Sequence, residues 1–457
     1  MDRRTLLSLL PAPLMATGPL TEPLRAGAAQ LIGAALTDQQ GWARLEYLCD
    51  RIGARLAGSK TLEQAIEWCA AEMRRDGFSG VETPQVMVPH WVRGEESAEL
   101  LAPVAAPLRM LGLGGSIATP PEGITAEVVA VESFDELDAL PASRVRGRIV
   151  LFNAPWRGYG PTVAYRSNGA SRAARLGAVA ALVRSVTPHS LATPHTGAMR
   201  YDAAQPKIPA AALAVEDAGR IARLSKAGVP VRLRLRMQAQ TLPDSPSANV
   251  IANLPGREKP EEIVVLGGHI DSWDVGTGAH DDGTGCIACW QAVVLMKKLN
   301  LIPRRTVRVV LWTNEENGLR GAEAYRQWAG ETVKNHVAAI EMDGGAERPL
   351  GFGLSALTAG QPVQERAVAQ AQQIGALLAG IGAHQVTSGG GGADIGPLMR
   401  EGVPGLGLRT TGEKYFHWHH THADTLDHVD PEHFRLCIAT AAVMAWGLAE
   451  MEPRLGS

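Results

Sequence analysis

Cysteine is scarce: Cys49, Cys69, Cys286, Cys289 and Cys437 are 5 residues in 457, too few and too scattered for a disulfide framework. Cys286 and Cys289 form a C-x-x-C, but no second pair completes a structural zinc site, and the apolar helical pattern around them predicts packed core thiols. An excess of either charge is lacking as well. Lys plus Arg number 44 against 47 for Asp plus Glu, a formal net charge of -3, which offers no basic surface for nucleic acid and no acidic tail. Beyond the first residues, no stretch reaches the roughly 18 uninterrupted apolar residues that span a bilayer. Several catalytic signatures are also missing. There is no G-x-S-x-G, no H-E-x-x-H, no G-x-x-x-x-G-K-S/T and no G-x-G-x-x-G after a strand, which removes most support for serine-hydrolase, thermolysin-like and nucleotide-binding readings.

What is present suits a globular protein of two to three domains, with 45% hydrophobic and 20% charged residues. Arg3 and Arg4 precede a short apolar run from Leu6 to Ala16, and Ala26-Gly27-Ala28 offers a small-residue cleavage site. This pattern resembles a twin-arginine export signal over residues 1–29 and predicts a periplasmic or secreted protein without a membrane span.

Residues 45–52 and 61–74 read as helices, separated by a Gly58-Ser59 turn. A Pro- and Gly-rich stretch from Pro103 to Gly123 opens a block of alternating strands and helices, with strands at 148–152, 178–183, 208–213 and 231–237. That block ends at Pro243-Asp-Ser-Pro246, a turn cluster suited to a domain boundary. From Asn249 onward, strands at 262–266, 307–313, 337–341 and 405–409 alternate with helices at 285–299, 321–328, 361–379 and 431–451. The expected fold class is therefore α/β, a mostly parallel mixed sheet covered by helices, with a smaller α/β domain inserted. The expected division is 30–102 and 247–457 for the main domain and 103–246 for the insert.

Three consecutive apolar strands run into metal-competent residues: His269-Ile-Asp271, Glu315-Glu316 and Asp343. Ligands in open α/β sheets sit beyond the carboxyl ends of the strands, which makes these positions the first suspects. Asp281-Asp282 lies in a Gly-flanked loop before a helix, and 6 of the 13 histidines fall between His417 and His433. A Glu-Glu pair alone is usually a solvated helix start, and a histidine run alone can be a loose surface metal binder. Position after a strand and interleaving with aromatics favour a site. Imidazole and carboxylate ligands without thiolate suit catalytic zinc, and a His-plus-carboxylate set for each of two ions, joined by one shared carboxylate, suits two-metal hydrolysis. Asp271 is placed to receive the second ring N–H of His269. His90, His189, His195 and His336 read as histidines without chemistry, and Gly389–Gly392 as a flexible loop or a backbone passing close to substrate.

GHIDSWDVGTGAHDDGTG, LWTNEENG, EMDGG, GGGGADI and KYFHWHHTHADT together resemble the M28 family of dizinc exopeptidases, within its carboxypeptidase branch. The resemblance implies Asp281 as the bridging carboxylate, His269 and Asp343 on one zinc, Glu316 and His420 on the other, Glu315 as general base and Asp271 as orienter. It places a cis peptide just after the bridging Asp, and makes Asp394 and Tyr415 substrate contacts. The block 103–246 resembles a protease-associated (PA) domain that helps to cover the cleft. Two Zn2+ per chain, a small peptide substrate, a metal-bridging hydroxide as nucleophile and a homodimer are implied in the same way. A glutaminyl-cyclase-like acyltransfer enzyme and a non-catalytic receptor are the alternatives on the same fold.

Overall fold

A computed structural model describes residues 20–457 of the chain. The expected leader falls largely outside them, but its cleavage triplet does not. Ala26, Gly27 and Ala28 lie inside the helix Glu22–Leu36, where Gly27 and Ala28 are buried. Gly27 faces the Trp446 indole so closely that a Cβ there would sit 2.7 Å from the ring, and Trp446 Nε1 donates to the Leu24 carbonyl at 3.1 Å. The apolar face of this helix, which crosses the expected boundary at residue 30, is part of the same core as the main sheet.

The main sheet has 8 strands. From one edge to the other they are Ser79–Glu82, Val250–Leu254, Arg305–Trp312, Lys259–His269, His336–Glu341, Gly405–Thr410, Pro349–Ser355 and Gln385–Ser388. The four central strands run parallel, with antiparallel neighbours toward the edges. Ile263–Gly268 and Val309–Trp312 are continuous buried runs, as expected of parallel strands covered on both faces. The helices Thr284–Lys298 and Pro431–Glu450 pack on each other and on these strands, and both are buried around most of their circumference. Asp430 caps the latter by accepting from Glu432 and His433 N–H, with Pro431 in its first turn.

A second sheet, also of 8 strands, takes residues from Glu96 to Met237 and has its own apolar layers on both faces. It begins before Pro103, where the insert was expected to open. The Pro243–Pro246 cluster, expected as a turn, lies within the strand Gln240–Ala248, which pairs antiparallel with Gln85–Val92. A two-stranded ribbon leaves each strand an unpaired edge, so prolines without an N–H are tolerated there, and the register shifts between Leu242 and Ser245. The expected helix over 45–52 is a helix Gln40–Tyr47 that widens into a π turn, Leu48–Ile52. Among the described residues no helix is long and apolar enough to cross a membrane.

Candidate metal centre

The parallel strands Arg305–Trp312, Lys259–His269 and His336–Glu341 are neighbours, so the residues after their carboxyl ends converge. They deliver Glu315-Glu316, His269 and Asp343 to one place. Asp281 reaches the same place from the tight turn Ala279–Gly283, and the Asp281–Asp282 peptide is cis, as the resemblance implies. Asp282 fastens this turn: its carboxylate accepts the His269 N–H at 3.1 Å and the Gly285 N–H at 3.0 Å. A side chain at Gly268 or Gly285 would collide with that carboxylate, which explains glycine at both positions.

Asp281 presents one oxygen to each of two clusters. Its Oδ1 lies 3.1 Å from His269 Nε2, which is also 3.4 Å from Asp343 Oδ1. Its Oδ2 lies 3.2 Å from His420 Nε2, which is also 3.1 Å from Glu316 Oε2. His419 stacks on His420 at 3.6 Å between ring centres, with its Nε2 at 3.7 Å from the same Asp281 oxygen. Among the described residues two sets of three could hold an ion, His269 with Asp281 and Asp343, and Asp281 with His419 and His420. His269 Nε2, Asp343 Oδ1 and Glu316 Oε1 are buried without a hydrogen-bond partner, although carboxylates or imidazoles stand close to them. Zinc bonds of about 2.0–2.1 Å place neighbouring tetrahedral ligand atoms roughly 3.3 Å apart, so these donors fit divalent ions better than they fit one another.

The charge balance agrees. Burial pulls the His269 and His420 imidazoles down, but Asp281 and Asp343 around the first, and Glu316 and Asp281 around the second, hold both well above their usual value. Burial alone would raise the Asp281 carboxyl; His269 and His420 override it and hold Asp281 well below the usual carboxylate range. Glu315 is raised well above that range by burial, against the pull of His269 and with repulsion from Asp343 and Glu316.

Asp271 has a larger role than orienting His269. His269 Nδ1 is 3.0 Å from the Asp271 backbone carbonyl and 3.8 Å from its carboxylate. That carboxylate instead accepts the N–H groups of Glu315 at 3.0 Å and Glu316 at 3.2 Å, fixing the turn that carries both acids. Asp271→Ala leaves two enclosed donors unpaired and is expected to cost roughly 1–3 kcal/mol for each. Urea unfolding of the variant checks this, and Asp271→Asn, which keeps an acceptor, is expected to lose less.

The other wall of the centre comes from the second sheet's segment. Thr196 N–H donates to the His420 carbonyl at 3.0 Å, His195 Nδ1 stands 2.7 Å from the His419 carbonyl, and the Thr187 hydroxyl donates to the Phe416 carbonyl at 2.7 Å. His420 is held at φ 62°, a left-handed conformation that a non-glycine residue keeps only under such restraint. Asp424 accepts the N–H groups of His280 at 2.7 Å and Asp281 at 3.1 Å. His280 itself is structural, with Nε2 at 2.9 Å from the His428 carbonyl and Nδ1 accepting from Ala346 N–H at 3.3 Å. A cavity of about 650 Å³ lies between the two walls, lined by Asp281, Glu315, Glu316, Asp343, His419 and His420 on one side and by Tyr159, Arg166 and Arg200 on the other. That size is typical of small-ligand sites.

Of the expected substrate contacts, Tyr415 lines this cavity and Asp394 does not. Asp394 is 1% exposed, and its flanking Ala393 and Ile395 N–H groups donate to Glu341 at 2.9 Å each. Within the Gly389–Gly392 run, Cβ atoms added at Gly390, Gly391 and Gly392 would strike Gly353, Met399 and the Glu341 carboxylate, whereas one at Gly389 would meet nothing, and none of the four lines the cavity. All five cysteines are free and buried, as expected for Cys286 and Cys289. Asp424, Thr196, Arg166 and His195 were not anticipated. Only Asp424 carried a signal, the Asp-Thr pair that closes the histidine run.

This is the fold and polar centre of a metallopeptidase. Residues 249–445 match the model for peptidase family M28, and the chain belongs to that family. It is 43% identical to human carboxypeptidase Q over 416 residues, covering 91% of this chain and 86% of the relative, and similarly close to the mouse protein at 43%. Among solved structures, the peptidase M28 precursor of Shewanella amazonensis SB2B superposes with a TM-score of 0.89 at 34% identity, covering 94% of this chain and 98% of that one. The aminopeptidase from Aneurinibacillus sp. strain AM-1 shares the fold, with a TM-score of 0.66 at 19% identity over 94% of this chain and 97% of that one. The resemblance carried by the five motifs is thus borne out at the level of family, carboxypeptidase Q relatives included.

Proposed function

We propose that this peptidase is a dizinc exopeptidase that removes terminal residues from short peptides or splits dipeptides. The observation that carries the reading is Asp281, one buried carboxylate whose two oxygens face two separate ligand sets. His269 and Asp343 would hold one zinc, Glu316 and His420 the other, with Asp281 shared. When bound, the two ions would supply Lewis acidity to the scissile carbonyl and lower the pKa of the attacking water.

The chain's own groups do the remaining work. Glu315 lines the cavity beside Asp343 and Asp281, and a carboxyl raised by burial is a stronger base than a solvated one. It takes the proton from the attacking water and delivers it to the departing amine nitrogen. Asp271 holds Glu315 at the backbone, so the base cannot drift from the cavity. Tyr415 and His419 close the wall where the substrate backbone lies, and the segment 96–237, read as a PA-like domain, covers the cleft from above. Such a roof excludes folded proteins and admits short peptides. The acyltransfer reading needs a single ion, which leaves the second cluster unexplained.

Metal analysis with a peptide panel tests the proposal. The expected result is about two zinc per chain, and hydrolysis of unblocked short peptides that a chelator abolishes and zinc restores. A purified protein without bound metal, or hydrolysis indifferent to chelation, contradicts it.

A further inference from the structure

His420 is gripped twice by one residue of the second sheet's segment. The Thr196 N–H donates to the His420 carbonyl at 3.0 Å, and the Thr196 carbonyl stands 3.3 Å from His420 Nδ1. A carbonyl can only accept, so the ring hydrogen that satisfies it sits on Nδ1. That tautomer keeps the Nε2 lone pair for a metal, and Nε2 is the atom that faces Asp281 and Glu316. His269 is oriented differently, from within its own loop, by the Asp271 carbonyl at 3.0 Å from Nδ1. The two ligand sets are therefore unequal. The main sheet orients one by itself, whereas the other depends on a residue from across the seam.

Thr196 is anchored in turn by Arg93, which is 9% exposed and stands between the ribbon strand Gln85–Val92 and the first strand of the second sheet. The Arg93 guanidinium forks onto Asp274, with Nε donating to Oδ2 at 2.8 Å and Nη2 to Oδ1 at 2.6 Å. The same Nη2 reaches the Thr196 hydroxyl at 3.3 Å, and Nη1 donates to the Gly112 carbonyl, which also accepts the Thr196 hydroxyl at 2.7 Å. Asp274 belongs to the loop that leaves the strand Lys259–His269 and runs on to Asp281. One buried guanidinium thus ties the metal-bearing loop to the residue that orients His420. Trp273 closes the seam beside it. Its indole packs with Leu56, Trp91 and Leu111, lies 5.5 Å from the His420 ring, and leaves no room for a Cβ at Gly114. Bidentate pairs kept from water hold their geometry firmly, and the left-handed backbone of His420 needs such restraint.

We propose that Arg93 is a positioning residue for the ion held by Glu316, His420 and Asp281, and that this ion is coupled through Thr196 to the seating of the second sheet on the main one. The inference rests on the dizinc reading above and adds an asymmetry to it: loosening the seam releases the ion at His420 and spares the ion at His269. Coupling between two equilibria is reciprocal, so binding of the ion also tightens the seam.

Zinc titration against a competing chelator, with hydrogen exchange on the same full-length samples, tests this. The wild type is expected to bind two zinc, and loading is expected to slow exchange of the Thr196 amide, whose acceptor is the His420 carbonyl. In Arg93→Met the site completed by His420 is expected to weaken by about 10–100-fold, the scale seen when an outer partner of a metal ligand is lost. The site at His269 keeps its affinity, and zinc no longer slows exchange at Thr196. Anomalous scattering at limiting zinc locates the remaining ion beside His269. Arg93→Lys, which keeps the charge without the fork, and Asp274→Asn, at a partly exposed side chain, are expected to fold and to show the same loss on a smaller scale. A purely structural role would lower the urea midpoint and leave the ratio of the two affinities as in the wild type. That result, a loss confined to the His269 site, or Thr196 exchange indifferent to zinc in the wild type overturns the inference and leaves the dizinc reading standing. A wild type that binds fewer than two zinc overturns both.

Discussion

Replacing Glu315 with glutamine is expected to lower kcat by about 10²–10⁴ while leaving zinc content unchanged. The side chain keeps its size and its place on the cavity wall, and Asp271 still holds its backbone N–H at 3.0 Å. What disappears is the ability to accept a proton. Because Glu315 belongs to neither ligand set, its loss separates chemistry from metal binding; Glu315→Ala is expected to behave alike. KM for short peptides should move little, since the role proposed for Glu315 acts on the water and the leaving nitrogen rather than on the substrate's side chains. Near-normal turnover by either variant would remove Glu315 from the mechanism.

Asp281→Ala is expected to act through the opposite signature. Both ligand sets lose the one carboxylate that they share, so bound zinc should fall to less than one per chain. Turnover is expected to drop by at least about 10³, the equivalent of roughly 4 kcal/mol in the barrier. The turn itself is held by Asp282 and by Asp424 through backbone N–H groups, so the fold should survive the change. Circular dichroism and metal analysis on the same sample distinguish a lost site from a lost fold. A variant that retains two zinc would show that the two clusters do not depend on a bridge.

The centre was largely legible in the sequence because central parallel strands are continuous apolar runs, and the polar residues after them stand out. His269, Glu315-Glu316 and Asp343 stand out in this way, and the Asp281-Asp282 pair by its Gly-flanked loop, the choice of Asp281 within the pair being implied by the resemblance. The edges were harder. Pro349–Ser355 and Gln385–Ser388 carry glycines or polar residues where an apolar alternation would signal a strand, and Pro243 and Pro246 imitate a turn within a ribbon strand. Asp394 follows a glycine run in sequence, but it is buried and absent from the cavity lining, a placement that sequence closeness cannot read. Arg166 and His195 lie more than 220 residues before the histidines that they support, so no local pattern could tie them together. Their partnership exists only once the second sheet is folded against the first.

The claim on which the rest depends is that Asp281 joins two ions. Anomalous diffraction at the zinc edge from crystals of the zinc-loaded protein tests it most directly. The expected result is two peaks about 3.5–4 Å apart, one on each side of the Asp281 carboxylate, the first beside His269 and Asp343 and the second beside Glu316 and His420. A single peak, or peaks away from Asp281, would contradict it.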